Sequence, residues 1–237
     1  MKNIISKMVD YSWLGSWAIW ENDKGEEGFS KSTDIRENID FNKYEKELQQ
    51  NNFVILAMNP GGESNLNNLN NLSRKEKVTN PWNNFHNKGR SNDHFLASAF
   101  NKSKLRGSYM TDFLPIIGSE SNKISEIIND LEKNNKEVLE RLVRELDTEI
   151  STLLPDYEEV NLICLGEKAA GWAKKFLSDE QSRFSNLEKK YKVYQIYHYS
   201  FFASTARKKY AEKHNIENNY SIIVKHQLNE QGLKIYI

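Results

Sequence analysis

Three polar residues that could take part in catalysis lie at or just after the ends of short apolar runs. Asn59 follows the run NFVILAM, Asp112 lies near the end of SYMTDFL, and His198 follows YKVYQIY. An asparagine amide can hold a water molecule, and a carboxylate among apolar neighbours must find hydrogen-bond donors or change its pKa. A histidine changes its protonation near neutral pH. Taken singly, each residue also has a structural explanation as a turn, capping or core residue.

Two further segments have residue types that suit a bound ligand. Gly61 and Gly62 would let the backbone approach a ligand closely, although the surrounding Asn-Pro-Gly-Gly also favours a simple turn. Ser204 is predicted to cap a helix that carries Arg207. A helix N-terminus beside positive charge suits a phosphate group, whereas basic residues on a helix more often form a solvated face.

The elements that must position these residues alternate between strand and helix. The β-type runs are 52–58, 108–114, 160–165 and 191–197, and the first and third are almost continuously apolar, as expected of strands buried on both faces of a parallel sheet. Helical patterns separate them. We therefore predict an α/β fold, a three-layer α/β/α sandwich with a mostly parallel four-stranded central sheet. In such folds ligands bind at the carboxyl ends of the strands.

The helical patterns cover 93–100, a charged pair within 119–153, 167–177 and 204–214. Ile216, Tyr220, Ile223 and Val224 predict a further helix, and LKIYI at the C-terminus a possible edge strand. The tryptophans at 13, 17 and 20 have a spacing that fits either helix or strand, and we expect them to cover an edge of the sheet. The Asn- and Gly-rich stretch 59–92 is predicted to be a functional loop. We predict one domain over 1–237.

Composition excludes several classes of protein. The single cysteine, Cys164, excludes a disulfide scaffold, a cysteine-rich zinc site and a cysteine-held metal cluster. No apolar run approaches the roughly 20 residues of a membrane span, and the N-terminus lacks a signal-peptide pattern, so we expect a cytoplasmic protein without a membrane partner. Because 33 basic residues balance 33 acidic ones, any DNA contact must use a local patch. The oligomeric state stays open.

The order of the motifs is more informative than any one of them. A strand ending in MNPGG, an aromatic-bearing loop, a YMTD strand, the strand–helix segment LICLGEKAA and a late H-x-S follow one another. This series resembles the uracil-DNA glycosylase superfamily, most closely its mismatch-specific and single-strand-selective branches. The resemblance covers about residues 50 to 214, with a charged helical insertion at about 119–157.

The resemblance implies roles for the residues that match the motifs. Asn59, with Met58 beside it at the base-binding site, falls where the superfamily positions the hydrolytic water. His198 falls where a histidine donates to the departing base. An aromatic ring that stacks on the extruded base falls at Phe85, or alternatively at Trp82.

Two neighbouring positions fall near the residue that reads the edge of the base. Asp112 is the first choice, and Thr111 takes the position if the alignment shifts by one residue. The superfamily usually has asparagine there. Because an ionised carboxylate only accepts hydrogen bonds, Asp112 suggests a base with an exocyclic amino donor.

The resemblance also implies contacts with single- or double-stranded DNA. Phe201 and Phe202 fall where an apolar wedge fills the gap left by the flipped base. The other implied DNA contacts are Gly61, Gly62, Ser200, Ser204 and Arg207. No metal or other cofactor is required. The sequence departs from the superfamily pattern where Tyr199 replaces proline and Ala57 replaces glycine.

We therefore expect a DNA N-glycosylase that removes a non-standard or modified base, in repair or in defence. The alternative is a catalytically degraded member of the same fold that binds nucleic acid or nucleotides without cleaving them. Asn59 and His198 together favour the enzyme, whereas zero net charge favours the binding module. A hydrolase of small nucleotides is a third possibility, although its glycine loop lacks the lysine of a P-loop.

Overall fold

The protein is described by a computed structural model. The described residues are 3–59, 74, 81–86, 92–114, 121–178, 184 and 186–236. They form a mixed α/β fold with five strands and seven α-helices. Among them, no helix has both the length and the apolar character needed to cross a bilayer.

The strands and helices alternate through most of the chain. The strands are β1 Ser16–Trp17, β2 Phe53–Ala57, β3 Tyr109–Asp112, β4 Glu159–Leu165 and β5 Lys190–Ile196. The helices are α1 Ile4–Lys7, α2 Asp93–Phe100, α3 Ser121–Asn134, α4 Lys136–Leu153, α5 Glu167–Phe176, α6 Ser204–His214 and α7 Tyr220–Glu230. The four predicted strands and the helices predicted at 93–100, 119–153, 167–177 and 204–214 are thus confirmed, with ends that shift by a few residues.

The sheet has the order β1-β3-β2-β4-β5, and all pairs except β1–β3 are parallel. The predicted count of four strands is wrong because β1 adds an antiparallel fifth strand at the edge. Its two residues are too few for an alternating pattern to be recognised in the sequence. Trp17, one of the three N-terminal tryptophans, lies in this edge strand and is fully buried.

Successive residues of the central strand β2 pack into different hydrophobic clusters. In β2, Val54 and Leu56 join a cluster with α3, α4 and α5, whereas Ile55 and Ala57 join one with α2 and α7. All five residues of this strand are buried. Helices therefore cover both sides of the sheet, as the continuous apolar runs predict.

Helices α3 and α4 each bury one face. In α4, the side chains at Leu139, Leu142, Val143, Leu146 and Ile150 are buried, a spacing of three to four residues that places them along one side of the helix. That these helices are an insertion at about 119–157 stays a prediction, as does the single domain over 1–237.

Two local predictions are wrong. Ser204 is the first residue of α6 and not its cap, because the 3-10 turn Phe201–Ala203 runs directly into the helix. The segment LKIYI does not form an edge strand over its described residues 233–236. Its Ile235 carbonyl instead accepts a hydrogen bond from the Lys104 N–H.

Candidate active-site cavity

A cavity of about 280 Å³ lies at the carboxyl edge of the sheet. Residues that follow β2, β4 and β5 contribute to its wall, together with one residue of α3 and one of the turn before α6. The lining residues are Met58, Asn59, Ile124, Leu165, Gly166, Glu167, Lys168, Ala169, His198, Ser200 and Phe202. The structure therefore brings Asn59 and His198 to one cavity, although they are far apart in sequence.

The topology explains why the cavity lies there. The chain passes from β2 to β3 on one side and then returns to β4 on the other side of β2. The helices that follow these strands diverge at such a switch point, which leaves a crevice beyond the carboxyl ends of the strands. Asn59 lies two residues beyond the end of β2, and Gly166 directly follows β4.

Gly166 permits the close approach of the β5 loop. Its φ is +94°, a value that residues with a side chain rarely adopt. A Cβ atom at this position would lie 3.3 Å from the Cβ of His198. Directly after this glycine, α5 begins, and Glu167 and Lys168 of its first turn line the cavity. The sequence around Gly166 indicates only a tight turn into a helix, so it does not predict Glu167 or Lys168 as site residues.

His198 is held as a neutral hydrogen-bond donor. The backbone N–H of Ser200 donates to its Nδ1 at 3.0 Å. Burial, with a smaller contribution from the positive charge of Arg207, lowers the pKa of the imidazole to about 4. Because Nδ1 accepts a hydrogen bond and the ring is neutral near pH 7, its one proton lies on Nε2. The ring can thus offer an N–H group to a ligand in the cavity.

Arg207 fixes the loop that carries this histidine. Its Nη1 donates to the carbonyl oxygens of His198 at 2.6 Å and Ser200 at 2.9 Å. The guanidinium also lies 5.5 Å from the ring centroids of both Phe95 and Tyr220. Arg207 is buried, and its guanidinium is bonded within the protein. We therefore assign it a role in positioning the histidine loop, whereas the sequence predicts a contact with DNA.

Tyr199, which replaces a proline of the resembled motif, packs on the histidine. The two rings are stacked, with centroids 4.5 Å apart. The Tyr199 hydroxyl is hydrogen-bonded to Asp93, the first residue of α2. The tyrosine thus ties the histidine loop to α2.

Phe201 and Phe202 are the most exposed large apolar side chains of the described residues, at 76% and 96%. Both belong to the 3-10 turn that follows the histidine loop. Because Phe202 lines the cavity and is almost fully exposed, its ring stands at the mouth. Ser204 follows in α6 and is not among the described residues that line the cavity.

Asp112 is fully buried at the end of β3. Its Oδ2 accepts a hydrogen bond from Asn84 Nδ2 at 2.6 Å, and its Oδ1 has no hydrogen-bond partner among the described residues. Burial raises the pKa of this carboxyl to about 7, against the opposing effects of Asn84 and of the charge of Arg74. Asp112 lies at the same sheet edge as the cavity but is not one of the described residues that line it.

Thr111 faces the opposite side of the sheet. Its hydroxyl donates to Glu149 Oε1 at 2.8 Å and accepts from Arg74 Nη2 at 3.0 Å. Both charged partners are completely buried. Thr111 is therefore part of an internal network, and of the two candidates for reading a base only Asp112 points toward the α2 side.

The structure does not bring Trp82 and Phe85 to the cavity. Both are buried, at 7% and 4% exposure, and pack in the two hydrophobic clusters. The Trp82 ring lies 5.7 Å from that of Trp17, and the Phe85 carbonyl accepts a hydrogen bond from Trp20 Nε1. Of the remaining predicted residues, Met58 lines the cavity, whereas Gly61 and Gly62 lie outside the described residues.

A larger cavity, of about 570 Å³, lies against α4. Most of its lining side chains are charged, among them Glu137, Glu140, Arg141 and Arg144. Neither Asn59 nor His198 is among its described lining residues, and the charged side chains along α4 are typical of a solvated helix face. We therefore place the candidate site in the smaller cavity.

Comparison of the chain with protein-family models, with curated proteins and with solved structures found no match.

Proposed function

We propose that the protein is a DNA N-glycosylase with a uracil-DNA glycosylase-like sandwich, which hydrolyses the bond between the sugar and a flipped-out non-standard or modified base. The observation that supports this most is the shared cavity of Asn59 and His198, with Phe202 at its mouth. Its volume of about 280 Å³ is at the small end for ligand sites. That size suits a single heterocycle.

The exposed phenylalanines supply a way to admit the base. A base inside a duplex must rotate out of the stack at a cost of a few kcal/mol. Apolar side chains inserted between base steps offset part of this cost. Phe201 and Phe202 are adjacent, exposed and next to the cavity, so they can enter the duplex while the base enters the cavity.

His198 supplies stabilisation of the leaving base. When the glycosidic bond breaks, its electron pair moves to the base, and the sugar develops oxocarbenium character. A neutral Nε2–H at this cavity can donate to the oxygen or nitrogen where this negative charge develops. One such donor typically contributes about 2.7–4 kcal/mol to the rate-limiting barrier.

Asn59 supplies a place for the nucleophile. Its side-chain oxygen can accept a hydrogen bond from a water molecule, which adds to the sugar carbon as the base departs. The products are a free base and an abasic sugar, and the proton lost by the water goes to solvent or to the base. Met58 and Leu165 give the cavity an apolar wall on which the base can lie.

A binding module without catalysis is the second candidate. Glu167 lines the cavity, and the chain has no net charge, so the electrostatic attraction for a DNA backbone is weak. Lys168 offsets the charge of Glu167 locally. This candidate predicts binding of nucleic acid with no cleavage of the glycosidic bond.

The test is incubation of the full chain with oligonucleotides that carry uracil, hypoxanthine or a modified cytosine, in single- and double-stranded form. Alkali-labile breaks at the altered base would show glycosylase activity. We expect Asn59→Ala and His198→Ala to reduce the rate by at least a hundredfold. Phe202→Ala should reduce activity on duplexes more than on single strands, because only duplexes need the wedge.

The matched control is Asn229→Ala, which removes the same amide from an exposed position of α7. It should keep the wild-type rate. Retarded migration of the oligonucleotide without breaks would favour the binding module. Breaks that persist at full rate in both Asn59→Ala and His198→Ala would refute the proposed site.

A further inference from the structure

We propose that His214, His226 and Glu230 bind one divalent cation of the zinc class between α6 and α7. The three residues offer two imidazole nitrogens and one carboxylate oxygen, and these ligand atoms all lie within 4.8 Å of one another. This set is one that zinc uses in proteins. The site lies apart from the cavity and does not depend on the proposed glycosylase function.

The sequence places two polar groups on one face of each helix. Tyr210 and His214 are four residues apart on α6, and His226 and Glu230 are four residues apart on α7. Residues at this spacing lie on the same side of a helix. The four side chains meet where the helices pack, and the two imidazole rings are 4.8 Å apart between centroids.

Both imidazoles lie near the Glu230 carboxylate without a direct hydrogen bond to it. His214 Nδ1 lies 3.5 Å from Glu230 Oε1, and His226 Nδ1 lies 3.6 Å from Glu230 Oε2. Both separations exceed the usual range of hydrogen bonds. The separation between His214 and Glu230 is close to the edge of a tetrahedron, about 3.4 Å, for metal–ligand bonds of about 2.0–2.1 Å.

Tyr210 is placed to orient the ligands, and because it is hydrogen-bonded to His226 Nδ1, Nε2 of that ring is the nitrogen left to bind the ion. Its hydroxyl lies 2.5 Å from Glu230 Oε2 and 2.9 Å from His226 Nδ1, and its ring lies 4.2 Å from that of His214. Groups of this kind hold ligating side chains in position, and their loss typically weakens metal binding. We assign Tyr210 this positioning role.

The ligand types select the class of ion. Imidazole nitrogens favour zinc and similar transition metals, whereas magnesium and calcium prefer oxygen ligands. The side chains of His214, His226 and Glu230 are 20%, 31% and 49% exposed, so an ion can reach the site from solvent. A bound ion would join α6 to α7, and α6 is the helix whose Arg207 holds the His198 loop.

The test is calorimetric titration of the chelator-treated full chain with zinc chloride, and with cobalt chloride as a spectroscopic probe. We expect one ion per chain and visible cobalt absorption typical of four-coordinate geometry. His214→Ala, His226→Ala and Glu230→Gln should each weaken zinc binding by at least tenfold. Tyr210→Phe should weaken it by about 10–100-fold. Magnesium chloride at the same concentration should not bind.

Glu212→Gln is the matched control, because Glu212 is an exposed carboxylate on α6 outside the cluster. It should bind zinc like the wild type. Circular dichroism checks that each variant folds, and zinc should raise the thermal midpoint of the wild type but not of Glu230→Gln. Absence of stoichiometric binding, or equal binding by the Glu230→Gln and Glu212→Gln variants, would overturn the proposal and leave the proposed glycosylase function unaffected.

Discussion

Breaking the buried ion pair between Arg74 and Glu149 should strongly destabilise the protein. Both side chains are completely buried, and Arg74 Nε donates to Glu149 Oε2 at 2.6 Å. The other carboxylate oxygen accepts hydrogen bonds from the hydroxyls of Tyr109 at 2.9 Å and Thr111 at 2.8 Å. Glu149→Ala therefore removes the counter-ion of one charge and the acceptor of two hydroxyls.

The expected loss follows from the fate of the remaining groups. Removal of one member of a buried ion pair costs about 3–5 kcal/mol, because the other charge stays buried and uncompensated. Arg74 also donates to the carbonyl oxygens of Asp112 and Phe113, so its guanidinium cannot leave for solvent without breaking further hydrogen bonds. We expect the free energy of unfolding to fall by about 3–5 kcal/mol.

Urea denaturation followed by tryptophan fluorescence measures this loss. With a dependence of about 3 kcal/mol per molar urea for a chain of this size, the midpoint should fall by about 1–1.7 M. Glu140→Ala is the control on the same helix, because Glu140 pairs with Arg144 at 2.7 Å on the surface. Such exposed pairs contribute about 0.3–0.5 kcal/mol. Equal midpoints for the two variants would refute the reasoning.

Three further predictions concern buried titratable groups. Burial raises the pKa of Asp112 to about 7, so between pH 3.8 and 7 the folded protein holds a proton that the unfolded chain has lost. This proton stabilises the folded state at low pH, and the stabilisation is lost as the pH rises through 7. Asp112→Asn should therefore gain about 2–3 kcal/mol relative to wild type between pH 5 and pH 8 in urea titrations, and a gain independent of pH would contradict this. Burial lowers the pKa of His86 to about 4, so stability should fall on acidification from pH 6.5 to 4. His86→Phe should reduce that slope by about 1.4 kcal/mol per pH unit, and an unchanged slope would argue against a neutral His86. Burial raises the pKa of the Cys164 thiol, so iodoacetamide should modify it only after unfolding, as mass spectrometry would show.

The sheet could be predicted from the sequence because its strands are buried on both sides. Runs such as 52–58 and 160–165 are apolar at almost every position, and helical periodicity is clear between them. The edge strand at Ser16–Trp17 has no such pattern, since it is held by pairing with β3 and by tertiary packing. Short elements of this kind depend on contacts that a single sequence does not display.

Of the residues that line the cavity, the sequence could predict only those that follow β2 and β5. Asn59 and His198 follow strands whose carboxyl ends must lie at one edge, so their convergence follows from the topology. Glu167 and Lys168 also follow a strand, but in the sequence they have the features of the first turn of an ordinary helix, so nothing marks them as cavity residues. The aromatic residues are harder to assign. Phe85 is buried and Phe202 is exposed, yet both are phenylalanines, and only the tertiary packing around them distinguishes the two.

Under the proposed glycosylase function, the protonation state of Asp112 bears on which base is preferred. The expectation of an exocyclic amino group on the base rests on an ionised Asp112, which only accepts hydrogen bonds. With a pKa of about 7, this carboxyl is about half protonated at neutral pH, and a protonated carboxyl both donates and accepts. His198 is neutral over the same range, since its pKa is about 4. Asp112 is fully buried and is not one of the described residues that line the cavity, so of these two groups only the neutral His198 lies where a ligand can contact it. A neutral donor suits an uncharged base better than a phosphate. Under the proposed glycosylase function, a half-protonated Asp112 therefore favours neither uracil nor an amino-bearing base.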